Sequence, residues 1–199
     1  MNGERKMHGA GKSTFEFVDL HRVLEGLSLT PSTVFLDLGC GAGNYTIPVA
    51  ETIGPNGRVY GIDGWQEGLD ELKRRAAALG LANIETIRAD LNEHIPIGDA
   101  LVDVCFASTV LHDLLREAPG EKVMGEIARV LKPAGRLAIL EFKKTEDGPG
   151  PPVAVRLSPE ETEELVAASG FVKDRVIDLG PFHYLLIARN SAEQTRRLW

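Results

Sequence analysis

Residues 34–43 read Val-Phe-Leu-Asp-Leu-Gly-Cys-Gly-Ala-Gly, and this stretch decides the fold. Its first five residues are mostly apolar, follow a proline-containing segment and precede a glycine cluster, which is typical of a buried strand. The glycines follow Asp37 in the pattern D-x-G-x-G-x-G, and an amphipathic segment comes next. Strand, glycine turn and helix together favour nucleotide binding, because glycines let the backbone approach a ligand that the helix N-terminus faces.

Two features of this loop separate two classes of ligand. A dinucleotide fingerprint, G-x-G-x-x-G, would place its third glycine at position 44, which is Asn44. The pyrophosphate of a dinucleotide is anionic and would be repelled by the Asp37 carboxylate. S-adenosylmethionine carries an ammonium and a sulfonium and has no phosphate, so the loop favours it over NAD or NADP.

The chain resembles the class I S-adenosylmethionine-dependent methyltransferases over roughly residues 30–190, because four further elements of that family follow the glycine loop in order. A second strand ends in Asp63 and a third ends at Asp90. Residues 102–112 are similar to the fourth strand and the segment after it. Residues 132–135, Lys-Pro-Ala-Gly, are similar to the tight turn before the fifth strand.

The resemblance implies a set of cofactor contacts. An acid after the second strand would bind the ribose hydroxyls, and an acid after the third would contact the adenine. The predicted cofactor-binding residues are Asp37, Gly39, Cys40, Gly41, Gly43, Asp63, Gly64, Trp65, Asp90, Leu91 and Ala107. Alternatives stay open: Asp63 could only form a turn, Asp90 could cap a helix, and Trp65 could be a packing residue.

His112 is the candidate catalytic residue. It follows the fourth strand, where the switch point of an open sheet places reactants, and imidazole titrates near neutral pH. A proton-accepting role would suit an oxygen or nitrogen nucleophile, but His112 beside Asp113 could also only orient backbone. Glu141, at the end of the fifth strand, is expected in the same crevice or paired with Lys143. His183 is expected to be structural.

The alternation of strands and helices predicts an α/β fold: a Rossmann-like seven-stranded sheet, mostly parallel, with a C-terminal antiparallel hairpin and helices on both faces. The expected strands are 34–38, 58–62, 84–88, 101–106 and 136–142, followed by a hairpin of 171–179 and 183–189. The expected helices are 15–27, 44–53, 66–79, 117–131 and 158–169. We expect an N-terminal lid segment and helix (1–29), a methyltransferase domain (30–190) and a tail (191–199), with residues 1–14 ordering as a lid over bound cofactor.

The composition and charge of the chain indicate which classes of binding partner to expect. The 199 residues carry a net charge of −7, which argues against unspecific nucleic-acid binding. An apolar run of about 20 residues and a signal-peptide core are both absent, so we expect a cytoplasmic protein without membrane contact. The two cysteines, Cys40 and Cys105, do not form a disulfide framework, and no metal site is predicted. A homodimer stays open.

Within the resembling family, the segment after the fourth strand points to a small-molecule acceptor. The Asn/Asp-Pro-Pro-Tyr signature of enzymes that methylate base amino groups is absent, and arsenic methyltransferases use more cysteines than this chain has. The quinone-biosynthesis type is most similar. The expected pocket wall is apolar: Phe15, Phe17, Trp65, Val110, Leu111 and Leu114. Two alternatives stay open, an NAD(P)-dependent oxidoreductase and a catalytically inactive module that binds S-adenosylmethionine.

Overall fold

The computed structural model describes residues 14–146 and 148–191, and within them seven strands form one sheet. The strands are β1 (Val34–Leu38), β2 (Arg58–Asp63), β3 (Ile84–Arg88), β4 (Val102–Ser108), β5 (Leu131–Phe142), β6 (Phe171–Asp178) and β7 (His183–Asn190). Their order is β3-β2-β1-β4-β5-β7-β6. β1 to β5 pair in parallel, and β7 lies antiparallel between β5 and β6. The predicted fold class is therefore confirmed.

Six α-helices and two 3₁₀ turns accompany the sheet in the described part of the chain. The helices are α1 (Leu20–Leu27), α2 (Thr46–Ile53), α3 (Gln66–Ala78), α4 (Leu111–Glu117), α5 (Gly120–Val130) and α6 (Pro159–Ala168), and the turns are Phe15–Phe17 and Val153–Val155. Ser158 caps α6 with Pro159 in the first turn, as the sequence indicates, and Glu161 completes a capping box with Ser158.

The predicted helix 15–27 is interrupted. The Asp19 carboxylate accepts hydrogen bonds from the backbone N–H groups of His21 and Arg22, so it starts a new helix at Leu20 rather than continuing the old one. Val18 before it is extended, with φ −128° and ψ 137°. Only a 3₁₀ turn precedes α1. The predicted helix is too long because the apolar residues keep a 3.6-residue spacing across Asp19, which is an N-cap.

The predicted helix 117–131 is replaced by α4 and α5. Pro119 lies between them with an extended ψ of 130°, and Ala118 before it is extended as well, as the residue before a proline prefers. β5 also begins five residues earlier than expected. Leu131 already pairs with Val102, and the Lys-Pro-Ala-Gly segment bulges from the ladder before Arg136 pairs with Val104.

The core lies on both faces of the sheet, because neighbouring strand residues point to opposite sides. One face carries Leu36, Leu38, Cys105, Leu137 and Ile139 against α4, α5 and α6. The other carries Phe35, Val104, Phe106, Ala138 and Leu140 against α1 and α2. Two covered faces explain why the strand segments read as nearly continuous apolar runs.

The expected lid of residues 1–14 lies, apart from Thr14, outside the described residues, and so does all of the expected tail except Ser191. In residues 14–146 and 148–191, the helices are too short or too polar to cross a bilayer. Both cysteines are buried free thiols.

Candidate functional site

A cavity opens where β1 and β4 end, at the point where the order of the strands reverses. In an open α/β sheet this is where ligands bind. The residues that line it are Thr14, Asp37, Gly39, Cys40, Gly41, Ala42, Asn44, Tyr45, Trp65, Ser108 and Thr109. Five of them, Asp37, Gly39, Cys40, Gly41 and Trp65, are among the residues that the sequence predicts for cofactor binding.

The three glycines of the loop have different tasks, although all have positive φ. A Cβ on Gly39 would lie 2.7 Å from Cγ2 of Val110, and one on Gly43 would lie 2.2 Å from Cδ1 of Leu72. A Cβ on Gly41 would meet nothing within 4 Å. Gly39 and Gly43 therefore permit close packing within the protein, whereas the backbone at Gly41 faces open space, where a ligand can approach it.

Asp63 holds the loop against the end of β2. Its carboxylate accepts the N–H of Gly41 at 2.8 Å and the N–H of Trp65 at 2.8 Å. Since an ionised carboxylate can accept about four hydrogen bonds, Asp63 keeps capacity for ligand hydroxyls. The side chain thus connects the glycine loop to the segment that carries Gly64 and Trp65.

Asp37 is the buried charge of the cavity. Its side chain is 2% exposed, and one oxygen accepts the hydroxyl of Thr46 at 2.6 Å. Burial raises the pKa of Asp37 to about 7, with a smaller contribution from the charge of Asp63, while the Thr46 hydrogen bond acts in the opposite direction. A carboxylate in this position favours a cationic ligand, because a cation would compensate a charge that the protein leaves poorly solvated.

An aromatic cluster forms the side of the cavity near the N-terminus. Tyr45 packs edge-on against Phe15 and Phe106, with ring centroids 5.4 and 5.2 Å apart. Its hydroxyl lies 3.4 Å from that of Thr14. The expected apolar wall is wrong at three positions. Leu111 and Leu114 are 0% and 4% exposed and belong to the core under α4, and Phe17 is 54% exposed.

Six predicted contact residues are outside the cavity lining. Gly43, Asp63 and Gly64 are next to lining residues in sequence or hydrogen-bonded to them, whereas Asp90, Leu91 and Ala107 have other surroundings. Asp90 is exposed and accepts the N–H of Asn92 at 3.0 Å within a turn, and no described helix follows it, so the alternative of a helix cap is wrong. Leu91 is 5% exposed in the core, and Ala107 is fully buried between β1 and β5. The next two residues along the chain, Ser108 and Thr109, border the cavity instead.

The six lining residues that the sequence did not predict are Thr14, Ala42, Asn44, Tyr45, Ser108 and Thr109. Two signals were available: Ser108 and Thr109 end a strand at the switch point, and Asn44 occupies the third-glycine position. Thr109 has φ 50°, a rare conformation for a β-branched residue. Such strain concentrates at functional sites.

His112 and Glu141 form a buried pair, and they follow closely in the chain on Thr109 and Leu140, which are hydrogen-bonded to each other where Thr109 borders the cavity. The Nδ1 atom of His112 lies 3.0 and 2.9 Å from the two carboxylate oxygens of Glu141, and the exposed fractions of the side chains are 4% and 0%. Burial lowers the pKa of His112, but the hydrogen bond and charge of Glu141, with the charge of Asp113, outweigh it and raise the pKa above its ordinary value. Lys143 pairs with Asp178 and not with Glu141.

His183 is fully buried at the start of β7, and neither ring nitrogen has a hydrogen-bond partner. Its ring packs on Phe142 with centroids 4.6 Å apart. Burial, together with the charges of Arg156 and Lys143, lowers the pKa of His183 to about 4. The imidazole is therefore neutral at ordinary pH. Across the described ranges, His, Cys, Asp and Glu side chains do not gather into a group that could hold a metal ion.

Comparison with known proteins agrees with this geometry. Residues 29–180 match a family model described as a methyltransferase domain. A crystal structure of a SAM-dependent methyltransferase from Aquifex aeolicus superposes with a TM-score of 0.81 at 32% identity, covering 89% of this chain and 93% of that one.

Two curated relatives add narrower similarities. An arsenite methyltransferase of Halobacterium salinarum is 30% identical over 74% of this chain and 36% of its own length. A demethylmenaquinone methyltransferase of Lactobacillus johnsonii is 35% identical over 53% of this chain and 42% of its own length. The chain therefore spans less than half the length of the curated relatives it matches.

Proposed function

The chain belongs to the class I S-adenosylmethionine-dependent methyltransferases, and from this membership we propose that it transfers the methyl group of S-adenosylmethionine to a small-molecule acceptor. The observation that carries the proposal is the cavity at the ends of β1 and β4, which combines an open glycine backbone with the buried carboxylate of Asp37. This combination suits a cationic adenosyl ligand and opposes a pyrophosphate.

The donor carries an activated methyl group, so the protein has little covalent chemistry to perform. Its task is to hold the acceptor atom, the methyl carbon and the sulfur in line and to exclude water. We assign Gly41, Asp37 and Asp63 to donor binding and Trp65 to the adenosyl side of the cavity. Asp63 already fixes the loop through two backbone amides and would add the ribose hydroxyls as further donors.

We propose that the acceptor is a small molecule of the quinone-biosynthesis type. The demethylmenaquinone methyltransferase among the relatives supports this class. The arsenite methyltransferase relative supports a metalloid acceptor less well, because Cys40 is 8% exposed in the donor loop and Cys105 is fully buried in β4. Burial raises the pKa of both thiols, which keeps them protonated and poor ligands.

We assign His112 to the acceptor side as a proton acceptor. It lies three residues after Thr109 of the cavity wall, and the N–H of Thr109 is tied to the carbonyl of Leu140 in β5 at 2.8 Å. The ends of β4 and β5 are thus held together where an acceptor would approach the methyl group.

Calorimetric titration tests the proposal. The chain should bind S-adenosylmethionine and S-adenosylhomocysteine and show no comparable heat with NAD or NADP. Tight NAD binding without a response to either adenosyl ligand would favour an oxidoreductase. Adenosyl-ligand binding without turnover on a broad acceptor panel would favour a binding module.

A further inference from the structure

We propose that Glu141 is the positioning residue for His112, that Nε2 of His112 is the atom that takes the proton, and that the acceptor reacts through a hydroxyl group. This inference rests on the proposed methyltransferase function and specifies its acceptor side. The contacts that support it are those of the Glu141 carboxylate near the end of β5.

Glu141 has 0% exposure, and a buried carboxylate needs strong compensation. Its hydrogen bonds come from His112 and from its own chain neighbour. The backbone N–H of His112 donates to Oε1 at 3.2 Å, the ring Nδ1 lies within 3.0 Å of both oxygens, and the N–H of Phe142 donates to Oε2 at 3.3 Å. Backbone and ring of His112 are thus both fixed by the same side chain.

This geometry selects the tautomer of the imidazole. An ionised carboxylate only accepts hydrogen bonds, so Nδ1 of His112 must carry its proton toward Glu141. In the neutral ring the lone pair then resides on Nε2. The nearest carboxylate oxygen on that side, Oδ2 of Asp113, is 3.7 Å away, which is beyond hydrogen-bond distance. Nε2 is therefore the atom that can accept a proton.

A fixed base of this kind is useful to an acceptor that becomes nucleophilic only when it loses a proton. A thiol ionises readily on its own, and a neutral amine attacks with its lone pair before it loses a proton. A phenol-type hydroxyl with a pKa of about 10 is a poor nucleophile until its proton leaves. The buried pair at the end of β5 therefore favours a hydroxyl acceptor.

In the proposed reaction a proton moves to His112 and a methyl group moves to the acceptor oxygen. The hydroxyl proton passes to Nε2 while the oxygen forms a bond to the methyl carbon. The carbon–sulfur bond breaks, and its electron pair stays on sulfur, which becomes the neutral thioether of S-adenosylhomocysteine. The imidazolium that results is stabilised by Glu141 and later releases its proton to solvent.

Several charged or titratable groups face this pair and bear on its pH dependence. Asp113 and Arg116 lie on α4 itself, with opposite effects on His112. Tyr184 of β7 stands opposite Glu141 in the strand pairing, and its hydroxyl donates to the carbonyl of Leu157 at 2.9 Å. The ring of Phe142 lies between His112 and His183, with centroid distances of 6.3 and 4.6 Å.

Nuclear magnetic resonance of the imidazole nitrogens tests the positioning role without any acceptor. In the ¹⁵N-labelled protein, with His112→Gln used for assignment, neutral His112 should show a protonated Nδ1 and a bare Nε2. Glu141→Gln keeps a carbonyl acceptor but removes the charge, and should lower the pKa of His112 by about one unit or more. Asp113→Asn is the matched control and should lower it less, because that carboxylate is farther away and partly exposed.

A protonated Nε2 in the wild-type protein, or equal pKa changes in Glu141→Gln and Asp113→Asn, would overturn the positioning role. Calorimetry with S-adenosylhomocysteine is run on the same samples. If the wild-type protein fails to bind it, the proposed methyltransferase function fails, whatever the tautomer. If Glu141→Gln binds it within about twofold of wild type, the variant is folded and the pKa change reports the pair alone.

Turnover tests the acceptor class. With methyl-labelled donor and a panel of phenols, thiols and amines, phenolic hydroxyls should be methylated. On them, His112→Gln should reduce kcat by about 10²-fold or more. Glu141→Gln should lower kcat with little change in KM and move the acidic limb of the pH profile to lower pH. Methylation restricted to thiols, amines or ring carbons, or a wild-type pH profile in either variant, would refute the inference.

Discussion

Asp37→Asn offers the most quantitative test of the donor site. The pKa of Asp37 is raised by burial from 3.8 to about 7. Between these values the unfolded chain gives up its proton while the folded protein keeps it, so the free energy of unfolding falls as pH rises through this window. The loss amounts to about 4 kcal/mol at pH 8, since one pKa unit corresponds to about 1.4 kcal/mol. Below pH 3.8 this cost disappears.

An asparagine has the same shape, can accept the Thr46 hydroxyl and never ionises. The stability of Asp37→Asn relative to wild type should therefore rise by about 4 kcal/mol between pH 4 and pH 8. Urea unfolding of the ligand-free proteins at several pH values measures this difference, in which titrating groups that do not interact with Asp37 cancel. Parallel stability curves for the two proteins would refute the reasoning.

The same substitution should have the opposite effect on donor binding: it stabilises the fold but weakens the affinity for the donor. A cationic ligand stabilises the ionised carboxylate, so wild-type affinity should fall by up to about tenfold per pH unit below pH 7. Asp37→Asn should bind S-adenosylmethionine more weakly and lose this dependence over pH 5.5–7. If the charge of Asp37 serves ligand binding at the expense of stability, the Asp37→Asn variant should be more stable than wild type and bind the donor more weakly.

Three further predictions concern other residues. His183→Phe should stabilise the protein, because it removes two unpartnered buried nitrogens. In wild type the free energy of unfolding should fall by roughly 3 kcal/mol as pH falls from 6.5 to 4, because the unfolded chain takes up a proton before the folded one, and the variant should not show this fall. Acid unfolding curves identical to wild type would contradict this. Asp63→Ala should weaken binding of S-adenosylmethionine by more than about tenfold in calorimetry, and an unchanged dissociation constant in a folded variant would exclude Asp63 from the site. Gly41→Ala and Gly43→Ala form a matched pair. Gly41→Ala should lose donor affinity and only about 1–2 kcal/mol of stability, whereas Gly43→Ala should lose roughly 2–5 kcal/mol of stability because its Cβ clashes with Leu72. An equal stability loss in both variants would refute the different tasks assigned to the two glycines.

Much of the fold could be predicted from the sequence because its signals are local. The apolar runs of the strands, the glycine loop and the Ser-Pro start of α6 each depend on neighbouring residues only. The errors occurred where two local signals compete. At Asp19 an N-cap interrupts an apolar pattern, and at Pro119 a proline divides a segment that would otherwise be one helix.

The site was less predictable because side-chain direction depends on packing between distant segments. The sequence places Leu91, Ala107 and Leu111 near strand ends, but only the folded sheet shows that their side chains enter the core. In the same way, Glu141 and Lys143 are close in sequence and could have paired. The pleat turns Glu141 toward His112 on α4, whereas Lys143 reaches Asp178 at the end of β6.

Three carboxylates stand at or near the carboxyl ends of β2, β1 and β5, and the protein compensates each differently. Two backbone amides stabilise Asp63, and an imidazole with two backbone N–H groups stabilises Glu141. Asp37 is almost as buried as Glu141, yet its side chain accepts one hydrogen bond, from the neutral hydroxyl of Thr46, and burial raises its pKa to about 7. The least compensated carboxylate therefore borders the open glycine backbone. A cationic donor would supply the positive charge that the protein does not place beside Asp37. Glu141 already has its hydrogen-bond donors, so its role is to hold the base, His112.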